Sequence, residues 1–227
     1  YANPQPARDV HSYGRKIIYL RISITDRCNL RCMYCCPNED SFKFIPHTNI
    51  LRYEEIVEIV ECAVSSGIKK VRITGGEPLV RKGIISFISQ LKNIDGLDDI
   101  SMTTNGYFLA ENAKKLKTAG LTRVNISLDS LNKDNFQKIT KAGDLSKAII
   151  GIDKALEVGL TPVKINVVVL KGINDNEVED FAKLTLKKPL NVRFVEFMPT
   201  QQFLKNKRRH YYMSANEVKQ RIKKKYP

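Results

Sequence analysis

Short runs of β-branched and aliphatic residues recur along the chain, each followed by a loop and then by a longer stretch in which apolar residues return every three or four positions. The runs fall at 17–24, 70–74, 99–103, 123–128, 162–170 and 191–197, and each predicts a strand. The longer stretches, at 53–66, 82–93, 109–119, 145–158, 177–187 and 214–224, predict amphipathic helices. Gly67, Gly120 and Gly159 each follow a predicted helix closely, where a C-terminal cap is expected. Such alternation implies right-handed crossovers and a parallel sheet. Six units are too few for the eight-stranded closed barrel. Periodicity alone leaves two architectures open, a partial barrel and a flat doubly wound sheet. In both, ligands gather beyond the carboxyl ends of the strands.

At 227 residues and 42% apolar, the chain can build one sizeable core, so one domain is expected. Its parts read as an N-terminal extension over 1–13, the α/β unit over 14–200 and a basic segment over 201–227. No apolar stretch approaches the roughly 20 residues that span a bilayer, and the first ten residues show no secretory pattern. A cytoplasmic protein with no membrane contact is expected. The formal charge is +14, and 201–227 holds nine Lys or Arg against one Glu, which is +8. A basic tail of this kind suits nucleic acid or a solvated surface, and no RNA-binding signature accompanies it.

Four of the five cysteines crowd into 28–36, which is no disulfide scaffold and implies reducing conditions. Cys28, Cys32 and Cys35 follow the first strand with spacing C-x-x-x-C-x-x-C. Three thiolates leave a four-coordinate cluster one ligand short, so a [4Fe–4S] cube would keep one iron open to another ligand. A structural zinc is the competing reading, but the nearest histidine is His47 and no second C-x-x-C exists. Cys36 and Cys62 read as small core residues. Gly75 and Gly76, with Glu77 and Pro78 after them, remove side chains at the end of the second strand and let backbone approach a ligand. Thr103, Asn105, Ser127 and Asn166 are polar positions at the ends of the third, fourth and fifth strands, where turn chemistry is the ordinary explanation.

Arg21, Lys70, Arg72, Lys164 and Arg193 lie within four of the predicted strands. Alternation in Val71-Arg72-Ile73 and Val192-Arg193-Phe194 sends these cations to the face opposite their apolar neighbours. Charges there are costly unless paired. Either they meet Glu77, Glu196 or Asp129, or they form a basic well for a polyanion, with Arg forks matching phosphate oxygens.

The stretch Arg21-Ile-Ser-Ile-Thr-Asp-Arg-Cys28-Asn-Leu-Arg-Cys32-Met-Tyr34-Cys35, followed by Thr74-Gly-Gly-Glu-Pro78, resembles the signature of radical S-adenosylmethionine (SAM) enzymes. Thr-Thr-Asn-Gly at 103–106, Asn-Ile-Ser-Leu-Asp at 125–129, Lys-Gly-Ile-Asn-Asp at 171–175 and Arg-Phe-Val-Glu-Phe-Met at 193–198 are similar to words of the GTP 3′,8-cyclase family of molybdenum cofactor biosynthesis. The resemblance implies an open three-quarter (βα)₆ barrel and a [4Fe–4S] cluster on Cys28, Cys32 and Cys35. It implies SAM held by the 75–77 segment, with Tyr34, Thr103, Ser127, Asn166 and Met198 around its carboxylate, ribose and adenine. It carries Arg21, Lys70, Arg72, Lys164 and Arg193 onto the triphosphate of GTP. Reductive cleavage of SAM would then give a 5′-deoxyadenosyl radical that converts GTP to 3′,8-cyclo-7,8-dihydro-GTP. The implied partners are GTP, a one-electron donor of the flavodoxin or ferredoxin type, the next enzyme of molybdopterin synthesis and a second copy in a homodimer.

The family's second cluster, with three more cysteines, its arginine-rich strand and its Gly-Gly terminus have no counterpart after Cys62. With Tyr rather than Met at position 1, this leads us to expect an incomplete copy. The alternatives are a shortened relative acting on another nucleotide or a peptide, and a nucleotide- or RNA-binding module with a structural cluster.

Overall fold

The structure is a computed structural model that describes residues 16–35, 44–198 and 210–227. Six strands, β1 (Tyr19–Ser23), β2 (Lys70–Thr74), β3 (Asp99–Thr104), β4 (Arg123–Ser127), β5 (Val163–Val169) and β6 (Leu190–Glu196), form one all-parallel sheet in sequential order. A doubly wound sheet reverses its strand order at a switch point. This one never does, so every crossover advances the same way and the helices collect on a single side. Strands β1 and β6 each have one neighbour, which leaves the barrel open.

The crossovers are α1 (Tyr53–Ser65), α2 (Ile84–Lys92), α3 (Leu109–Ala119), α4 (Lys133–Thr140) with α5 (Leu145–Glu157), and α6 (Val178–Lys187), followed by α7 (Ala215–Lys225). They bury Ile56 and Val60 of α1, Phe87 and Leu91 of α2, Leu116 of α3, Ile152 of α5 and Phe181 of α6 against the outer face of the sheet. That face presents Val71, Ile73, Ile100, Met102, Val124, Ile126, Ile165 and Val167, all within 3% of full burial. Helix α7 joins the same core through Val218 and Ile222, and Arg221 binds Glu179 of α6 at 2.9 and 2.8 Å.

One element was not predicted and one expectation is corrected. The 133–140 stretch, which carries no assignment from periodicity, is helix α4, capped by the Asn132 side chain on the N–H groups of Asp134 and Asn135. Cys62 is exposed on α1, not core. It lies two residues from buried Val60, which at 3.6 residues per turn is on the far side of the helix. Cys36 lies outside the described residues.

The strand registers decide what the other face presents. Arg21 pairs with Arg72, Arg72 with Ser101 and Ser101 with Arg123. One two-residue step toward the carboxyl ends, Thr103, Asn125, Lys164 and Asn191 share a level, and the next holds Ser127, Asn166 and Arg193. Lys70 and Asp99 lie one step below the arginines. Paired residues of neighbouring strands project to the same side, so the inner face is a polar well with Arg21, Arg72 and Arg123 toward its floor and Lys164 and Arg193 among the hydroxyls and amides above. This is the opposite of the packed interior of an eight-stranded barrel.

Candidate active site

The loop after β1 carries the three spaced cysteines over the mouth of the well. Cys28, Cys32, Tyr34 and Cys35 line one cavity of about 210 Å³ together with Thr74, Gly75, Gly76, Thr103, Ser127 and Asp129. The loop is anchored on three sides. Arg31 and Met33 donate their backbone N–H groups to Thr140 and Ile139, at the end of α4, at 3.0 and 2.8 Å. Arg31 also reaches back to the Cys28 carbonyl at 2.6 Å. Beneath lies a small apolar cluster of Ile139, Leu170, Ile173 and Phe197, against which Met33 and Tyr34 pack.

The third anchor is the glycine pair. Gly76 donates its N–H to the Thr25 carbonyl at 2.7 Å, and Glu77 to the Arg27 carbonyl at 2.8 Å. A Cβ on Gly75, whose φ is +138°, would stand 2.3 Å from the Thr25 oxygen, and one on Gly76 2.2 Å from the Arg27 oxygen. The bare backbone is thus required first by the cysteine loop's own main chain, and the same residues also line the cavity.

The carboxylate of Glu77 is 1% exposed and accepts from Leu79 N–H (3.0 Å), the Thr104 hydroxyl (2.8 Å) and Asn105 N–H (2.6 Å). Burial pushes it above its ordinary range, with the three donors opposing. It ties the glycine loop to the end of β3. Glu77→Gln replaces an acceptor by an amide that meets those donors with N–H, and should cost about 1–3 kcal/mol. Thermal unfolding with a midpoint equal to wild type would show that the clamp contributes nothing.

Asn105 passes the clamp to the cysteines: its Nδ2 donates to Asn29 Oδ1 at 2.8 Å and points at Cys28 Sγ from 3.9 Å. Leu30 N–H donates to the same sulfur at 3.4 Å. Burial raises the Cys28 thiol, Leu30 and Asn105 work against that, and the Glu77 charge adds to it. Tyr34 donates its hydroxyl to Asp129 Oδ2 at 2.5 Å, while Val168 N–H donates to Oδ1 at 2.8 Å. Burial pushes Asp129 up to about 6 and holds the Tyr34 phenol well above its usual range.

The donor set fits an iron–sulfur cluster. Three thiols face one cavity, hydrogen bonds already point at one of the sulfurs, and the neighbouring hydroxyls suit a polar cosubstrate. Among the described residues no three His, Cys, Asp or Glu side chains converge as one ion would need, with every sulfur about 2.3 Å from a zinc. A cube spreads its thiolates over separate corners.

The expected cavity set is partly gathered and partly not. Gly75, Gly76, Thr103, Ser127, Tyr34 and the three cysteines meet in the cavity. Asn166 shares the level of Ser127 on β5. Met198 is 84% exposed just past β6, so it neither fills core nor lines the cavity.

All five expected cations sit on the inner face, and the carboxylates proposed to neutralise them are engaged elsewhere. Glu77 and Asp129 have the partners described above, and Glu196 accepts from the Tyr212 hydroxyl (3.1 Å) and Ala215 N–H (2.7 Å). Partial burial lowers Arg72, and repulsion from Arg123, Arg21 and Arg193 adds to it. Partial desolvation likewise lowers Lys164, followed by Arg193, Arg123 and Arg72, with Asp99 opposing. Two inner residues escape sequence reasoning. Arg123 opens β4 and extends the cationic set, and Asn125 is 1% exposed with its Oδ1 unpartnered. The alternation in Arg123-Val-Asn125-Ile-Ser127 was the signal that could have found both.

Comparison with known proteins agrees with this architecture. The family model described as the Radical SAM superfamily matches residues 22–185. The GTP 3′,8-cyclase of Petrotoga mobilis is 58% identical over 215 residues, covering 94% of this chain and 65% of that protein. The GTP 3′,8-cyclase of Thermodesulfovibrio yellowstonii is 54% identical, covering 94% and 66%. The chain therefore spans about two thirds of the length of these relatives. Among solved structures, Streptococcus suis SuiB bound to S-adenosylmethionine superposes with TM-score 0.71 at 17% identity, covering 92% of this chain and 46% of that one. Methylornithine synthase (PylB) gives 0.67 at 17%, covering 90% and 62%.

Proposed function

Because the chain belongs to the Radical SAM superfamily, we propose that it carries the SAM-cleaving and triphosphate-binding part of a GTP 3′,8-cyclase. The observation that carries this reading is the polar well itself. Among the described residues, Arg21, Lys70, Arg72, Arg123, Lys164 and Arg193 share its inner face with Asp99 alone as a counter-charge, since the cavity's Asp129 is taken up by Tyr34 and Val168, and they run from the floor of the well up to the level of Ser127 in a cavity lined by three thiols. Cations massed without counter-charges are costly in a concave, partly desolvated space, and a polyphosphate removes that cost. The identity to the two cyclases supports the choice of GTP among polyphosphates.

Cys28, Cys32 and Cys35 would hold the cluster, which together with SAM would supply the one-electron radical chemistry needed at C3′ of GTP for conversion to 3′,8-cyclo-7,8-dihydro-GTP. The chain's own residues orient the partners. Gly75 and Gly76 present backbone to the cosubstrate, Thr103 and Ser127 offer hydroxyls on adjacent levels of the well, and Asn166 lies beside Ser127. The cations below grip the phosphates and so fix the ribose against the cavity, which matters because reacting atoms must approach within about 3–3.5 Å. The 14–200 unit would house all of this. A one-electron donor of the flavodoxin or ferredoxin type, the next enzyme of molybdopterin synthesis and a homodimer are carried over on the resemblance alone. Cytoplasmic location is likewise part of this reading; among the described residues no helix is long and apolar enough to cross a membrane.

The test is anaerobic reconstitution with iron and sulfide, then SAM, dithionite and GTP deuterated at C3′. Deuterium in the 5′-deoxyadenosine is expected. 5′-Deoxyadenosine free of the label would redirect the chain to another substrate, and none at all would end the enzymatic reading. Lys164→Ala should weaken GTP binding about 10-fold, one charged hydrogen bond's worth, at unchanged iron content. Calorimetric titration reads this directly, and an unaltered affinity would remove Lys164 from the phosphate grip.

A further inference from the structure

Arg123 differs from the other cations of the well because it is held. Its Nη2 lies 2.5 Å from Asp99 Oδ2, and the Thr122 hydroxyl donates to the other Asp99 oxygen at 2.5 Å. The two side chains are 21% and 13% exposed. The plain explanation is a sheet-stabilising ion pair across β3 and β4. Two features exceed it. The Arg123 Nε is buried with no acceptor, so the guanidinium is satisfied at one corner only. Asp99 is also the carboxylate that stands among the six cations, Asp129 above being held by Tyr34 and Val168, and it is spent on Arg123 while Arg21, Arg72, Lys164 and Arg193 have no ion-pair partner among the described residues.

Depth gives the pair a meaning. On β4, Ser127 borders the cavity, Asn125 lies one level below and Arg123 one level below that, roughly 13 Å of strand from Ser127 at about 3.3 Å per residue. The buried Asn125 Oδ1 between them is an acceptor, which suits a hydroxyl donor and repels a phosphate oxygen. The anionic tail therefore has to reach past it to the level of Arg21, Arg72 and Arg123. Only a ligand long enough gains that contact.

We propose that Arg123, aimed by Asp99, takes the terminal phosphate of the substrate and so makes the well select a nucleoside triphosphate over the diphosphate. This rests on the reading of the well as a polyphosphate site given above. Asp99 touches no ligand in this arrangement and acts as a positioning residue.

Inorganic tripolyphosphate and pyrophosphate, titrated calorimetrically into the chain at fixed ionic strength, isolate the tail from nucleobase contacts. Wild type should prefer tripolyphosphate. Arg123→Gln should weaken tripolyphosphate about 10- to 100-fold while barely changing pyrophosphate, and Arg123→Lys should restore part of the preference. Asp99→Asn separates aim from field. Removing a negative charge tightens both anions if the well acts as a diffuse positive potential, whereas loss of aim loosens tripolyphosphate alone, by about 5-fold for a contact of roughly 1 kcal/mol. Equal effects on both anions, or tightening in Asp99→Asn, would overturn the assignment while leaving the well intact. A wild-type chain that binds neither anion would instead end the polyphosphate reading itself. Should Arg123→Gln fail to fold by circular dichroism, the Arg123→Lys and Asp99→Asn titrations still decide.

Discussion

Cys32→Ala is expected to lose iron and sulfide to under a tenth of the wild-type content after anaerobic reconstitution and to form no detectable 5′-deoxyadenosine. The reason is geometric. Cys28 and Cys35 line the same cavity but leave a four-iron cube with two protein thiolates, and the cavity's carboxylate, Asp129, is already occupied by the Tyr34 hydroxyl and Val168 N–H. Removing a supporting outer-shell group around a metal typically costs 10- to 100-fold in affinity, and a direct ligand costs more. Cys62→Ala is the matched control: that thiol is exposed on α1, outside the cavity, and its removal should leave iron content unchanged. A Cys32→Ala protein that retained iron and its spectrum would show that the cluster is held some other way.

Gly76→Ala should be nearly as damaging without touching a single thiol. The new Cβ would sit 2.2 Å from the Arg27 carbonyl oxygen, 2.6 Å from its carbon and 3.0 Å from the Asp26 carbonyl carbon. All three are backbone, so no side chain can swing aside. Relief requires the loop to move and to break the Gly76–Thr25 and Glu77–Arg27 hydrogen bonds, at 2.7 and 2.8 Å. Overpacking of this kind costs about 1–3 kcal/mol, and two hydrogen bonds add about 1 kcal/mol each. For a chain of this size the melting temperature should then fall by about 6–20 °C. Because the displaced segment runs directly into Cys28, cluster retention should drop with it. Normal stability together with full iron content would mean that the loop tolerates a shift of this size.

The fold was legible because its two periods are physically forced. A parallel sheet with all helices on one side buries alternate strand residues under α1 to α6 and leaves the others to the well, and Val71-Arg72-Ile73 shows that pattern directly. Helix α4 was not legible. Its eight residues are mostly polar, and only Phe136, Ile139 and Thr140 are buried, too short a stripe to stand out. Met198 follows an apolar strand, and no periodicity says that its side chain emerges 84% exposed.

Spacing and alternation along the chain were sufficient for the six-unit α/β architecture, the three-thiol loop and the side of the sheet on which Arg21, Lys70, Arg72, Lys164 and Arg193 reside. Pairings across distance were decided only in three dimensions: Asp99 with Arg123, Glu77 with Thr104 and Asn105, Tyr34 with Asp129, and α4 under the cysteine loop. The physical reason is locality. Strand and helix periods arise from each residue's own backbone geometry and are written in consecutive letters. Which carboxylate neutralises which cation depends on strand register and close approach between segments far apart in the chain, and no local pattern encodes those.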